Sequence, residues 1–490
     1  MSHQSIKDQV LSLGASRLID YGLQFVLPMV LARVFEPVQY GQYMLLWLVV
    51  NSSLIVTTLY MPQSLFYVLP HSRSDAEKTC NVLNTLLFLT ITGLLAAVAV
   101  APWFSLLPER FMTIGAYPWV LPVVVFLWTV SQLLDSLPTA EERIRWQCWS
   151  IIGLSGFRAA LLAGLAWFFH DLNLLFLGLV FFAGIKILVL LAYFFIYHPM
   201  KNWTIDRTLL WAQLRYAVPF GIGGGLFMLR NLGDQWLAAY LFPAAAYSLF
   251  IIGMYFGAFL TLIRDSISSA VLPKLSRYHA EGKLAALLEL SRNSNTHTAL
   301  VLFPLLMWCF IFAADIIEVI FSAAYRDAAA VMRVFVLSYL TQTFEVNNLF
   351  KIVGDGRYGS YLLLGLLIPA IAISYWGGIT FGLWGVALGA LVVTYCGEPL
   401  KLRHVAGRLA LPITRIVDWP SWLVLFTASS LAGFFAYQTI DLLVHGIQWP
   451  LFRVSLGGGI IAMSYFMMVR VVRGSLLLSY IDMLRFKTAV

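Results

Sequence analysis

The sequence predicts an all-α integral membrane protein of about fourteen transmembrane helices, built as two six-helix lobes (parallel repeats) plus two C-terminal helices. Three observations predict it. Of the 490 residues, 60% are hydrophobic and only 11% are charged, with a mean hydropathy of +0.82, whereas a soluble globular chain carries roughly 25% charged residues. Apolar runs long enough to cross a bilayer recur along the whole chain. Two short motifs also return in the same order in the second half.

Taking the elements in order, the spans start near residues 14, 42, 81, 117, 149, 172, 215, 247, 296, 328, 358, 382, 421 and 450, each running for about 20 mostly apolar residues. The first contains Arg17 and Asp20 and is too long for a signal-peptide core, so it reads as a retained helix. The seventh carries Arg230 and Asp234. An even number of crossings places both termini on one side. Of the 32 Lys and Arg, 22 fall at the N-terminus, in the even-numbered connections and at the C-terminal end, against four (Arg33, Arg110, Arg326 and Arg453) in the odd-numbered connections. Cytoplasmic loops collect Lys and Arg, so both termini are expected in the cytoplasm. The other six bases, Arg17, Arg158, Lys186, Arg230, Arg264 and Arg333, fall within predicted spans.

Several function classes find no support. Cys80, Cys148, Cys309 and Cys396 lie far apart with no CxxC pair, which speaks against a disulfide or metal framework. There is no HExxH and no GxxxxGK[ST] phosphate loop, so the chain carries no sign of a metalloprotease or of its own ATP hydrolysis. The predicted external loops are too short for a catalytic domain, and the expectation is a non-enzyme without cofactor. A net charge of +8 is explained by the loop asymmetry and needs no nucleic-acid partner.

The repeat organises the rest. ARVFEPVQYGQY (32–43) faces AAYLFPAAAYSLF (238–250), with Ala32, Phe35, Tyr40 and Tyr43 matching Ala239, Phe242, Tyr247 and Phe250 at a constant offset of 207. One span later VLPHSRSDAEK (68–78) faces VLPKLSRYHAEGK (271–283), at an offset of 203. Six spans separate the copies, so both halves enter the membrane in the same direction, as in transporters that bind substrate between two halves. The expected division is 1–200 for the N-terminal lobe, 201–415 for the C-terminal lobe, and 416–490 for two further transmembrane helices and a cytoplasmic tail.

ARVFEPVQYGQY, the YAVPF…DQWLAAYLF stretch from Tyr216 with its Asp234, VLPKLSRYHAEGK, and FSAAYRDAAAVMRVFVL followed by GDGR together resemble the polysaccharide transporter (Wzx-type oligosaccharide flippase) family of the multidrug/oligosaccharidyl-lipid/polysaccharide flippase superfamily. The resemblance covers most of the chain and rests on the order of loose motifs. It implies a multi-pass protein of the bacterial inner membrane that moves polyprenyl-pyrophosphate-linked oligosaccharide units to the outer leaflet by alternating access, for surface or exopolysaccharide (O-antigen-like) biosynthesis. Membrane lipids, other polysaccharide-assembly proteins and a coupling ion, H+ or Na+, are the partners it implies, with a monomer as the working unit. Many members have twelve spans, so the last pair here is a departure reminiscent of the lipid II flippase branch, whose arginine-rich opening is missing.

Such a substrate leaves its apolar tail in lipid and needs a wet cationic groove for its head. A charge at mid-membrane costs a few kcal/mol or more and must face a partner or water, and the Arg fork matches phosphate oxygens. On span seven, Arg230 lies about 22 Å along the helix from Arg215. Asn231, Asp234 and Gln235 follow it, and Arg230 and Asp234 share a face. Arg230 and Asn231 are then candidates for substrate and Asp234 for ion coupling; a self-neutralising intrahelical pair fits the same spacing. Pro219 and GIGGG (221–225) suit either a hinge or close packing. Arg158 and Lys186, near mid-depth with no evident acidic partner, are the better candidates for an anion site. Arg17 and Arg264 are further substrate candidates, although Arg17 is shallow enough to snorkel. On span ten Gln342, Glu345 and Asn348 recur at helical spacing, making Glu345 a second ion-coupling candidate unless it pairs with Arg264. LAALLELSRN is expected to lie along the cytoplasmic surface between spans eight and nine.

Three rival readings stand beside the flippase. A drug or small-cation exporter of the same architecture would want an acidic, aromatic cavity. A membrane-embedded polysaccharide polymerase or ligase would want a long external loop with catalytic Arg or His. The third is a non-transporting scaffold.

Overall fold

The computed structural model describes residues 6–101, 117–199, 203–344, 346–353, 356–443 and 449–487. Among them it is all helix, and the chain divides into two compact units. The first comprises Met1–Ala239 and Pro243–Ser248, the second Tyr240–Phe242 and Leu249–Val490.

The first unit contains α1 (Ile6–Val34), α2 (Pro37–Thr58), α3 (Met61–His71), α4 (Asp75–Ala99), α5 (Val120–Ala140), α6 (Ile144–Phe169), α7 (Leu172–Tyr197), nearly all of α8 (Arg207–Leu241) and the start of α9 (Ala244–Met254). Local chemistry sets the helix starts. Pro37 opens α2 behind a capping box between Glu36 and Gln39. Ser74 caps α4 by accepting the Glu77 N–H at 3.2 Å, while the Glu77 carboxylate accepts the Arg73 N–H at 2.7 Å. Asp171 caps α7 through the Asn173 N–H at 2.8 Å. Helix α5 is the hub, packing against α2, α3, α4, α6 and α7, with Leu133, Leu134 and Leu137 in a core shared with Leu65, Leu89, Leu190 and Tyr193.

Helix α8 packs in this first unit up to Ala239. Its buried Gln213 donates to Ser64 Oγ at 2.9 Å and Thr85 Oγ1 at 2.8 Å, and its Trp236 Nε1 donates to Ser52 Oγ at 2.8 Å. The helix runs unbroken through Pro219 and GIGGG. Gly221 sits where Leu59 and Tyr60, both with left-handed backbone (φ 40° and 66°), separate α2 from α3, and a Cβ there would lie 2.7 Å from the Leu59 carbonyl carbon. Close packing explains this glycine without a hinge.

The second unit holds the rest of α9, then α10 (Phe256–Ala280), α11 (Leu284–Ile311), α12 (Ala313–Ile320), α13 (Ala328–Tyr339), α14 (Asn347–Val353), α15 (Gly356–Phe381), α16 (Leu383–Val386), α17 (Leu388–Arg408), α18 (Trp419–Leu443) and α19 (Pro450–Lys487). The two last helices pack on one another and on α11, around Leu300, Phe303, Leu425, Ala432 and Tyr465. LAALLELSRN does not lie flat between two spans: it is the first third of α11, with Leu287 and Leu288 in the core beside Leu402 and Val405.

Among the described residues, eleven helical stretches are long and apolar enough to cross a membrane, against the fourteen expected. The other three predicted spans each have a physical reason to fall short. Helices α1 and α8 are long enough, with 29 and 35 residues, but Arg17, Asp20 and Gln24 in one and Gln213, Arg230, Asp234 and Gln235 in the other dilute their apolar windows. The tenth is not one helix. It breaks into α13, a 3-10 turn over Leu340–Thr343, and α14, so Gln342 and Asn348 do not form a helical stripe. Glu345 lies outside the described residues.

The repeat is visible in the helix boundaries. Helix α1 ends at Val34 and α2 starts at Pro37; α8 ends at Leu241 and α9 starts at Ala244, the same offset of 207. Tyr40 and Tyr247 are both fully buried, as are Tyr43 and Phe250. In the second span of each half the helix is interrupted, at Leu59–Tyr60 and at Tyr255, and VLP lies inside the helix that follows.

Candidate functional site: a polar cavity in the first unit

Five helices of the first unit enclose a cavity of about 450 Å³. Each contributes a stripe at helical spacing: Asp20 and Gln24 from α1; Tyr43, Trp47 and Asn51 from α2; Trp128, Gln132 and Asp135 from α5; Gln147, Ser155 and Arg158 from α6; Phe182 and Lys186 from α7. Trp47 and Trp128 pack edge-to-face with centroids 4.8 Å apart, and Phe182 follows at 6.0 Å from Trp128.

The structure thus brings Arg158 and Lys186 together, but it corrects the expectation that neither has an acidic partner. Lys186 Nζ lies 2.9 Å from Asp135 Oδ2 and 5.2 Å from the centroid of the Trp128 ring. The lysine is buried while half of the Asp135 side chain is open. The two are 51 residues apart on neighbouring helices, a pairing that a list of intramembrane bases does not reveal; a list of intramembrane acids would have raised Asp135. Asp20 is also engaged, accepting from the Ser155 hydroxyl and from Gln24 Nε2. Arg158 forms no ion pair or hydrogen bond among the described residues, and its buried Nε is unsatisfied. The side chains of Asn51, Gln132 and Gln147 likewise make no hydrogen bond there, and Gln147, 1% exposed, has an unsatisfied buried Oε1.

The other candidates lie elsewhere. Arg17 is exposed on α1 outside the cavity lining, and Asn231 is exposed on α8. Arg230 Nη1 and Asp234 Oδ2 are 3.3 Å apart with both side chains nearly buried, so the intrahelical pair forms. Arg264, in the second unit, pairs with its neighbour Asp265 at 2.6 Å. Arg333 donates to the Phe310 carbonyl at 3.1 Å, and Asn348 exchanges hydrogen bonds with Ser268. No cluster of His, Cys, Asp and Glu suited to a metal occurs among the described residues.

A family model described as polysaccharide biosynthesis protein matches residues 6–279, more than half of the chain. No curated protein matches the sequence. Among solved structures, the fold is similar to "Lipid II flippase MurJ, inward closed conformation" with a TM-score of 0.69 and 12% identity, covering 95% of this chain and 99% of that one. It is also similar to the inward-facing conformation of a multidrug resistance MATE family transporter of the MOP superfamily, with a TM-score of 0.61 and 13% identity, covering 82% of this chain and 99% of that one. Eleven apolar spans and the family match converge: the chain is a multi-pass membrane protein that belongs to the polysaccharide biosynthesis protein family.

Proposed function

We propose that the chain is a flippase for polyprenyl-pyrophosphate-linked oligosaccharide units in the bacterial inner membrane, serving surface or exopolysaccharide assembly. The observation that carries the reading is the cavity of the first unit: unpaired Arg158, Asn51, Gln132 and Gln147 line a void inside a helical bundle of membrane-spanning character. Unsatisfied polar groups at membrane depth face water or cargo. The head group of the substrate uses this wet surface while the polyprenyl tail stays in lipid, and alternating access carries it across.

Of the two bases proposed as an anion site, Lys186 is held by Asp135, which leaves Arg158 as the group free to meet the cargo. An H+ or Na+ gradient resets the cycle in this reading, and for Asp234 to take the ion its contact with Arg230 must open. The test is complementation: cells lacking the chromosomal copy receive wild type or Arg158→Ala at matched protein levels, and surface polysaccharide is measured. Wild-type output from Arg158→Ala removes Arg158 from the site, and undiminished polysaccharide without the chain sinks the flippase reading.

A second reading has one observation in its favour. The cavity also holds Asp20, Asp135 and four aromatic side chains, a lining suited to an organic cation. A multidrug exporter would raise the drug tolerance of a sensitive host and leave polysaccharide untouched.

A further inference from the structure

We infer that the cavity of the first unit is a carbohydrate subsite, built for sugar rings carrying at most one negative charge, and that the pyrophosphate does not enter it. The inference rests on the flippase reading for the source of the sugar; the chemistry comes from the cavity itself.

Charge comes first. Lys186 is neutralised by Asp135, and the formal charge of Arg158 is balanced by that of Asp20 within the same lining. A pyrophosphate diester would bring two negative charges into a balanced cavity that already contains two carboxylates. Like charges so placed repel one another, and no cation beyond Arg158 is left to offset them. An uncharged sugar adds no such burden, and a single sugar carboxylate matches the planar fork of Arg158.

Hydrogen-bond polarity points the same way. The amides of Asn51 and Gln132, neither of them fully buried, each carry a donor and an acceptor side. The oxygens of an ionised pyrophosphate only accept. Sugar hydroxyls donate and accept, so they satisfy both ends of an amide. Trp47 is partly open to the cavity and is held edge-on by Trp128, leaving an apolar surface for the C–H face of a sugar ring. The volume, about 450 Å³, lies in the ordinary range for small-molecule sites.

The test uses the full-length chain in detergent micelles and saturation-transfer NMR with four soluble probes: galactose, N-acetylglucosamine, glucuronate and inorganic pyrophosphate. At least one sugar is expected to bind, pyrophosphate is expected not to displace it, and Gln132→Ala is expected to weaken it by about tenfold. Asn51→Ala, at an exposed position where folding is not at stake, is expected to weaken sugar binding by a similar factor; melting temperatures are matched to wild type, and unchanged binding in both variants overturns the inference. Binding by none of the three sugars overturns the inference, as does displacement of the sugar by pyrophosphate. Surface polysaccharide in cells lacking the chain tests the flippase reading separately. If the polysaccharide needs the chain but no sugar binds, the subsite fails and the flippase reading stands. If a sugar binds but polysaccharide does not need the chain, the reverse holds.

Discussion

His198 Nε2 lies 3.1 Å from Glu141 Oε1, and this contact holds the C-terminal end of α7 to the corner between α5 and α6. The same carboxylate accepts the Tyr193 hydroxyl and faces Arg143 Nε at 3.6 Å. Thr79 Oγ1 on α4 meets His198 Nδ1 at 3.0 Å, and the Arg143 guanidinium lies 3.6 Å above the Tyr197 ring. Helices α4 and α7 and the corner between α5 and α6 are thereby joined at one end of the first unit by polar contacts.

Burial works to raise the Glu141 pKa, but the contacts with His198 and Tyr193 and the charges of His198 and Arg143 outweigh it, so the carboxyl titrates below its ordinary value. A depressed folded-state pKa gives stability that is complete above the ordinary carboxylate range and is lost as pH falls through the depressed value. Glu141→Gln is expected to cost about 1–2 kcal/mol near neutral pH. The gap from wild type should close in acid below the ordinary carboxylate range. Melting curves in micelles across that pH window check both statements, and a gap that persists in acid would contradict the assignment.

Asp135→Asn removes the partner of a buried lysine. It should destabilise the protein by about 1–3 kcal/mol, at the lower end because half of Asp135 is open to the cavity. Lys186→Met combined with Asp135→Asn should recover most of that loss, since no unpaired charge remains. Thermal unfolding of the two singles and the double gives the coupling directly.

Reversing the pair on α8, with Arg230→Asp and Asp234→Arg together, preserves its neutrality at the same i, i+4 spacing. A pair that serves packing alone predicts polysaccharide output within about twofold of wild type, whereas either single reversal should lower protein levels. A double reversal that folds and exports nothing would show that Arg230 or Asp234 acts on cargo or ion.

Gly221→Ala places a methyl 2.7 Å from the Leu59 carbonyl carbon, where backbone cannot easily yield. A loss of about 1–3 kcal/mol is expected. Gly223→Ala, with open space at its Cβ, is the control and should be neutral or slightly stabilising in the same melt.

Most of the helices were legible because apolar runs and turn chemistry are local. Pro37 and Ser74 mark helix starts in the sequence itself. The pair Arg230–Asp234 was legible for the same reason, being one turn apart. Lys186–Asp135 was not, since which face of α7 meets which face of α5 depends on packing that no single-helix pattern encodes. Arg264 pairs with the adjacent Asp265, a neighbour that the sequence shows directly, while Glu345, the alternative partner weighed for it, lies outside the described residues. The cavity amides had a signal that charge alone concealed. Asn51 and Gln132 each lie four residues from an aromatic lining residue on their own helix, Trp47 and Trp128, so the sequence carries two stripes that pair an amide with an indole.

The shared helix break at Val34–Pro37 and Leu241–Ala244 fixes a register in which the two halves can be compared position by position. Asp20 falls opposite Phe227, Trp47 opposite Met254, and Asn51 opposite Ala258. At these three positions the first half carries an acid, an indole and an amide where the second carries only apolar side chains, so the cavity of the first unit is not repeated there. A chimera that transplants those three side chains into the second copy would ask whether that cavity was lost or never needed.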